Sequence, residues 1–269
     1  MSFSFKNQLY KVYRAFYRNT PSHKRELENS KAQFLKDNER ADNILGQLGL
    51  RHDKVVLNGP FQGLKYIDQA SGSMLLPKLI GSYEEPIQKW IEEILHSEQY
   101  QQILDIGCAE GYYAVGFAQK LPNTKVTACD INPVALNLAK EMSKLNQLNN
   151  IQFLQNIDTT ELAEYCKPKT LIFCDIEGYE AQLLNPASIP KLKFVDILLE
   201  AHDCFIPGLS EVLMDRFSKT HQIQLVMDYP TRINKYAHPA LNVEDYAFAT
   251  DEKRPAKMRW IYFRSLTEK

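Results

Sequence analysis

The chain has 269 residues, 44% of them hydrophobic and 24% charged, with a formal net charge of −1. That length holds one large α/β domain with an extension, and the balanced charge gives no general attraction to nucleic acid, so no such partner is expected. Cys108, Cys129, Cys166, Cys174 and Cys204 are odd in number and lack CxxC spacing, which favours buried thiols in a reducing compartment over disulfides or zinc. No apolar run approaches the ~20 residues of a membrane span. Charges from Lys6 onward interrupt any signal-peptide core, so a cytoplasmic location is expected.

Residues 1–81 are expected to form a helical N-terminal extension with a short β-hairpin, and residues 82–269 the main domain. Leu9, Val12, Tyr13, Phe16 and Tyr17 recur at helical spacing with Lys11, Arg14 and Arg18 between them. Such a helix docks on the main domain or on a second copy in a homodimer. Its basic flanks also suit weak contact of residues 1–20 with a membrane surface. Thr20-Pro21 ends it, and a polar helix is predicted from Ser22 to Gln47, closed by Gly49. Residues 54–67 read as two short strands around Asn58-Gly59-Pro60. The segment Ser71–Glu85 offers Lys78, Tyr83 and Glu84 as a possible wall of a site. A helix follows from Pro86 to Leu95.

Strands then alternate with helices. Strands are predicted over Gln102–Ile106, Lys125–Cys129, Ile151–Gln155, Thr170–Asp175 and Val195–Glu200. Helices are predicted over Tyr112–Lys120, Pro133–Leu145, Thr160–Cys166, Tyr179–Asn185 and Leu209–Thr220. This pattern implies a parallel sheet covered on both faces by helices, a Rossmann-like α/β fold. Ile223–Asp228 and Arg259–Arg264 lack a clear helix between them and are expected to pair antiparallel. Residues 229–258 are then a long loop over the strand tips, rich in groups suited to sugars or to an interface: Tyr229, Arg232, Asn234, Tyr236, His238, Tyr246 and Arg254, with Trp260 at its exit.

The most informative stretch is Ile103–Gly111. A buried strand ends in Asp105 and Ile106, then turns through Gly107 and Gly111 into a helix. The next strand ends in Asp130, placed to accept both hydroxyls of a ribose. The turn lacks the Gly-x-Gly-x-x-Gly spacing of a dinucleotide site. Its Glu110 would repel a pyrophosphate, whereas Glu110 and Asp105 both suit a cationic ligand. S-adenosylmethionine therefore fits better than NAD.

On Leu104–Gly111 and Ala128-Cys129-Asp130-Ile131-Asn132-Pro133, the sequence resembles class I S-adenosylmethionine-dependent methyltransferases. On Cys174-Asp175-Ile176-Glu177-Gly178-Tyr179-Glu180 and Leu198-Leu199-Glu200-Ala201-His202, it more narrowly resembles the FkbM type. The resemblance spans about residues 82–264. It implies that Gly107, Cys108, Ala109, Glu110 and Gly111 wrap the methionine portion of the cofactor, that Asp130 binds ribose and that Ile131 packs on adenine. Asp105 and Asp175 would face the cofactor as well. Asp158 is either an adenine contact or the N-cap of the following helix.

Methyl transfer needs a nucleophile close to and in line with the sulfonium carbon, and a hydroxyl acceptor also needs a base or a metal. Asp175 and Glu200 end adjacent strands, with His202 and Asp203 just beyond. Asp175, Glu200 and His202 are the candidate catalytic residues, and Asp175, Glu200 and Asp203 the candidate ligands of a Mg²⁺ ion. Glu177 and Glu180 suit a helix N-terminus without any catalytic role. His23, His52, His96 and His221 are expected at the surface. The function expected is O-methylation of a carbohydrate or glycosylated small molecule. The alternatives are a membrane-linked glycan or protein acceptor, and a non-catalytic cofactor-binding subunit that acts as an interaction module.

Overall fold

Five short segments end in apolar residues that need cover on both faces, and they build the centre of one sheet. They are β1 (Gln102–Ile106), β2 (Lys125–Cys129), β3 (Ile151–Leu154), β4 (Thr170–Cys174) and β5 (Asp196–Ala201). Every residue of β4 and β5 is buried, as expected for central parallel strands. The last two strands are β6 (His221–Asp228) and β7 (Met258–Ser265). In this computed structural model, which describes residues 21–97, 99–228 and 236–267, the sheet order is β3-β2-β1-β4-β5-β7-β6. The first five strands are parallel. β7 inserts antiparallel between β5 and β6. The fold is thus the expected Rossmann-like one. The order reverses beside β1, which opens a crevice at the carboxyl ends of β1, β2 and β4.

Helices α4 (Tyr112–Lys120), α5 (Pro133–Leu145), α6 (Thr159–Tyr165), α7 (Glu180–Leu183) and α8 (Leu209–Phe217) connect the strands. Local chemistry sets their starts. Asn132 accepts a hydrogen bond from Val134 N, ahead of Pro133 at the first helical position. Leu104, Ile172, Ile197, Leu199, Ile261 and Phe263 join the buried cluster beneath the sheet.

Three expectations are revised. The chain divides between Arg51 and His52, so residues 52–81 belong with the sheet and not with the N-terminal helix α1 (Pro21–Gln47). Phe61 explains this: its ring meets Tyr112, Tyr113 and Phe117 edge-on, and a Cβ on Gly116 would lie 2.6 Å from that ring. In place of a two-stranded hairpin, that segment has a single bridge, Val55 with Lys65, and a short helix α2 (Leu75–Ile80). After α3 (Gln88–Ser97), a further unexpected helix, α9 (Val243–Thr250), breaks up the long loop. The predicted helix within residues 1–20, and Tyr229, Arg232 and Asn234, lie outside the described residues. Among the described residues no helix is long and apolar enough to cross a membrane.

Candidate active site

The crevice holds a cavity of about 580 Å³. One wall is the turn after β1. Gly107 has φ +86°, and a Cβ there would lie 1.7 Å from Asp175 O, so only glycine lets the turn run against the end of β4. Gly107 N and Cys108 N donate to Cys129 O. Asp130 fixes the neighbouring turn: its Oδ2 accepts from Ala109 N at 2.8 Å and its Oδ1 from Asn132 N at 2.7 Å. Each of those oxygens keeps a second lone pair for a ligand hydroxyl. Ile131 is 78% exposed beside it, and Asn156 and Ile157 complete this side.

Glu110 does not face the cavity. It is fully buried, ion-paired with Lys78 and hydrogen-bonded by Tyr66 and Ser71 N. Burial pushes its carboxyl up, but Lys78 beside it, with the hydrogen bonds from Lys78, Tyr66 and Ser71, holds it below the ordinary carboxylate range. Its role is to tie the turn to the segment ahead of α3, not to meet a cationic ligand. That segment supplies Ser71, Gly72, Ser73, Lys78 and Tyr83 to the cavity wall. Tyr112, Tyr113 and Phe173 add aromatic faces, with the Tyr113 and Phe173 rings 4.2 Å apart.

The opposite side is acidic. Asp105, Asp175 and Glu177 line the cavity. His202 stands behind them: Nε2 lies 3.5 Å from Asp175, 3.4 Å from Glu177 and 3.6 Å from Glu200, while Nδ1 lies 2.8 Å from Glu180. Glu180 Oε1 also accepts from Gly178 N at 3.1 Å, so one carboxylate shapes the turn after β4 and orients the imidazole. Burial alone would lower the His202 pKa, but the Glu180 hydrogen bond and the nearby acids leave it raised. Asp175 is raised to about 7, first by burial; Glu84 and Glu177 add to this and His202 opposes it. Asp105 is raised by burial and then by Asp175, and Glu200 likewise.

Arg254 crosses behind this group. Its guanidinium meets Glu200 at 2.6 Å, Glu84 and Asp228 at 3.0 Å, and Glu252 at 2.9 Å. Glu84, whose second oxygen accepts from Tyr113, is a partner of this network and not part of the wall.

The predicted site residues therefore separate into groups. Asp105, Gly107, Cys108, Ala109, Asp130, Ile131 and Asp175 line the cavity; Glu110 and Gly111 do not. Asp158 is not on the wall either. It caps α6, accepting from Thr160 N and Glu161 N, with Glu161 returning a bond to its own N. His202 and Glu200 are 1% and 3% exposed and stand behind Asp175. Asp203 turns away to Ser210 and Arg259. Tyr236 bonds Gln88, Trp260 packs at a tilt against Phe173 with ring centroids 5.4 Å apart, and neither Tyr246 nor His238 is on the wall. His221, expected at the surface, is buried and bonded to Val195 O.

Residues 97–192 match a family model described as a methyltransferase domain. Over those residues the chain is similar to methyltransferase domains. Over 96 residues it is 30% identical to the release factor glutamine methyltransferase of Fusobacterium nucleatum, covering 36% of this chain and 26% of that protein. Over 131 residues it is 26% identical to the protein of that name from Vibrio cholerae, covering 47% and 42%. The chain thus spans less than half the length of these relatives. A putative O-methyltransferase from Klebsiella pneumoniae aligns with a TM-score of 0.45 at 12% identity, over 66% of this chain and 79% of that one, a likeness too low to bear on activity. These matches stop at the level of the methyltransferase domain, which is coarser than the FkbM type.

The cavity fits S-adenosylmethionine. Asp130 presents free lone pairs, Ile131 an apolar face, and Asp105 a buried Oδ2 with no hydrogen-bond partner among the described residues. Mg²⁺ is a different matter. Asp175, Glu200 and His202 each bring a ligand atom within 4.8 Å of the others. Mg²⁺, however, takes oxygen donors in a demanding octahedron, and here one donor is an imidazole and another carboxylate already holds Arg254. The set does not fit Mg²⁺, and Asp203 is not part of it.

Proposed function

We propose that the protein transfers the methyl group of S-adenosylmethionine to an acceptor that must first give up a proton, with Asp175 as the base. One observation carries this reading. Asp175 lines the same cavity as the donor-side turn, its Oδ1 faces His202 Nε2 at 3.5 Å, and its pKa of about 7 suits proton transfer at neutral pH.

When bound, the donor supplies a methyl group already activated by its sulfonium. The chain's part is placement and proton handling. Asp130 accepts from the ribose hydroxyls, Ile131 and Ile157 cover the adenine, and Asp105 accepts from the donor's ammonium. Tyr83, Tyr112, Tyr113 and Phe173 exclude water from the reacting atoms. Asp175 takes the acceptor's proton, and His202, oriented by Glu180, steadies the charge on Asp175 before it does so. His202 is in this scheme a positioning residue. A carbohydrate hydroxyl as acceptor rests on the FkbM-like motifs at 174–180 and 198–202 and on the sugar-suited groups of the loop after β6. Its described residues Tyr236, His238 and Tyr246 are off the wall, so the acceptor is better argued from the cavity itself.

Calorimetry with S-adenosylhomocysteine, paired with methyl release onto a cell extract, tests this reading. Wild type binds and turns over; Asp175→Asn binds within about threefold of wild type but loses ~10²–10⁴-fold in turnover. Failure of wild type to bind, or full turnover by Asp175→Asn, sinks the proposal. Binding without any turnover in wild type supports the non-catalytic subunit instead.

A further inference from the structure

Among the described residues, the acceptor side carries more acid than cations to answer it. Asp175 and Glu177 line the cavity, and Glu180 and Glu200 lie buried behind them. Two cations among the described residues answer these four carboxylates. His202 is shared among Asp175, Glu177, Glu180 and Glu200, and Arg254 reaches Glu200 while also holding Glu84, Asp228 and Glu252. Lys78, on the cavity wall, is committed to Glu110.

Asp105 Oδ2, on a side chain 1% exposed, has no hydrogen-bond partner among the described residues. A buried carboxylate oxygen left without a donor is costly, so it marks a place where a ligand brings an N–H group. The donor's single ammonium meets that need. Asp175 Oδ1 faces His202 Nε2 at 3.5 Å, but the side chains of Asp175 and Glu177, 28% and 72% exposed, still front the cavity. The donor's sulfonium has no N–H to offer them.

The surroundings say what kind of cation belongs there. Tyr179 lines the cavity and is 59% exposed, and Phe205, 56% exposed, stacks on His202 with ring centroids 5.6 Å apart. Together with Tyr83, Tyr112 and Phe173 they offer ring faces, which attract organic cations. The same wall already takes one, since Lys78 Nζ lies 4.7 Å from the centre of the Tyr83 ring. A metal ion finds a poor donor set here, and a neutral sugar leaves the acids unanswered.

We propose that the acceptor is a primary amine bound as its ammonium between Asp175 and Glu177, with its carbon skeleton against the aromatic rim, and methylated on that nitrogen. The inference rests on the methyltransferase reading above. The ammonium gives one proton to the Asp175 carboxylate. The freed nitrogen lone pair forms the N–C bond as the S–C bond breaks and its electron pair stays on sulfur. Amine becomes methylammonium, sulfonium becomes thioether, and the proton on Asp175 leaves to solvent past the exposed Glu177.

Two probes that differ only in ammonium for hydroxyl, 2-phenylethylamine and 2-phenylethanol, decide it. Each is titrated at pH 7 into the full chain loaded with S-adenosylhomocysteine. The amine is expected to bind at least ~10-fold tighter. Glu177→Gln, at a side chain 72% exposed and so safe for folding, is expected to remove most of that preference and spare S-adenosylhomocysteine. Equal binding of the two probes, or preference for the alcohol, overturns the cationic acceptor and leaves the methyltransferase reading standing. Full preference in Glu177→Gln overturns the assigned acids. Failure of S-adenosylhomocysteine to bind wild type overturns the methyltransferase reading, and this inference with it.

Discussion

The two sides of the cavity handle charge in opposite ways. On the side of β1, β2 and β3, the acids of the two turns are provided for. Asp130 receives two backbone N–H groups, and Glu110 receives Lys78, Tyr66 and Ser71 N. On the side of β4 and β5, carboxylates crowd around one imidazole and one guanidinium. A preorganised, neutralised wall suits a ligand that is the same in every turnover. A wall with acid to spare needs its partner to bring the countercharge.

Removing Arg254 tests the crowded side hardest. Arg254→Met takes away the one guanidinium shared by four carboxylates. Breaking a buried ion pair from one side typically costs about 3–5 kcal/mol, so denaturant unfolding should show a loss of that order. S-adenosylhomocysteine affinity in the folded fraction should hold, because no donor-side residue touches Arg254. If binding fails along with stability, the two sides are not separable in the way described.

The matching experiment on the neutralised side is Glu110→Gln, which strands Lys78. A loss of about 3 kcal/mol at neutral pH is expected. The sign with pH is fixed by the lowered folded pKa. The Glu110 contribution is complete above the unfolded value, about 4.3, and fades as pH falls through the lower folded value. Wild type and variant should therefore converge in stability only in acid. A gap that instead closes between pH 5 and 8 contradicts the assignment of Glu110 as an ionised partner of Lys78.

Asp130→Ala has a smaller effect, felt in binding. Its loss frees Ala109 N and Asn132 N and removes the acceptors meant for ribose. S-adenosylhomocysteine affinity should fall by about 1–3 kcal/mol, read by calorimetry. Unchanged affinity places the donor elsewhere and ends the contrast between the sides.

How much of this was legible in the sequence follows the same division. The donor side is built from contiguous residues: strand, glycine turn, helix and acid-tipped strand lie within 102–145, so period and punctuation place them. The β-strands of the sheet are displaced from their predicted bounds by at most two residues at either end. α2 was hidden because six residues around Pro77 show no helical period. α9 does carry a local signal, since Asn242 with Glu244 and Asp245 behind it is an ordinary helix start. The acceptor side is assembled from residues near positions 84, 175–180, 200–202, 228 and 252–254, and no local pattern reveals that Arg254 meets Glu84. The carboxylates could be listed from strand ends, but not which lined the cavity and which stood behind.

Asp158 shows how local chemistry decides between two roles that sequence left open. It stands one place too late at the end of β3 to reach the cavity, and Asn156 and Ile157 take the wall. Glu161, three residues on, completes a reciprocal cap that satisfies two backbone donors at the start of α6. Asp158→Ala should therefore cost about 1 kcal/mol of stability, the usual value of an N-cap. S-adenosylhomocysteine affinity should stay unchanged, which is the opposite of Asp130→Ala. If Asp158→Ala weakens binding while stability holds, the end of β3 reaches the donor through this carboxylate, and the donor-side wall extends one residue further than its geometry shows.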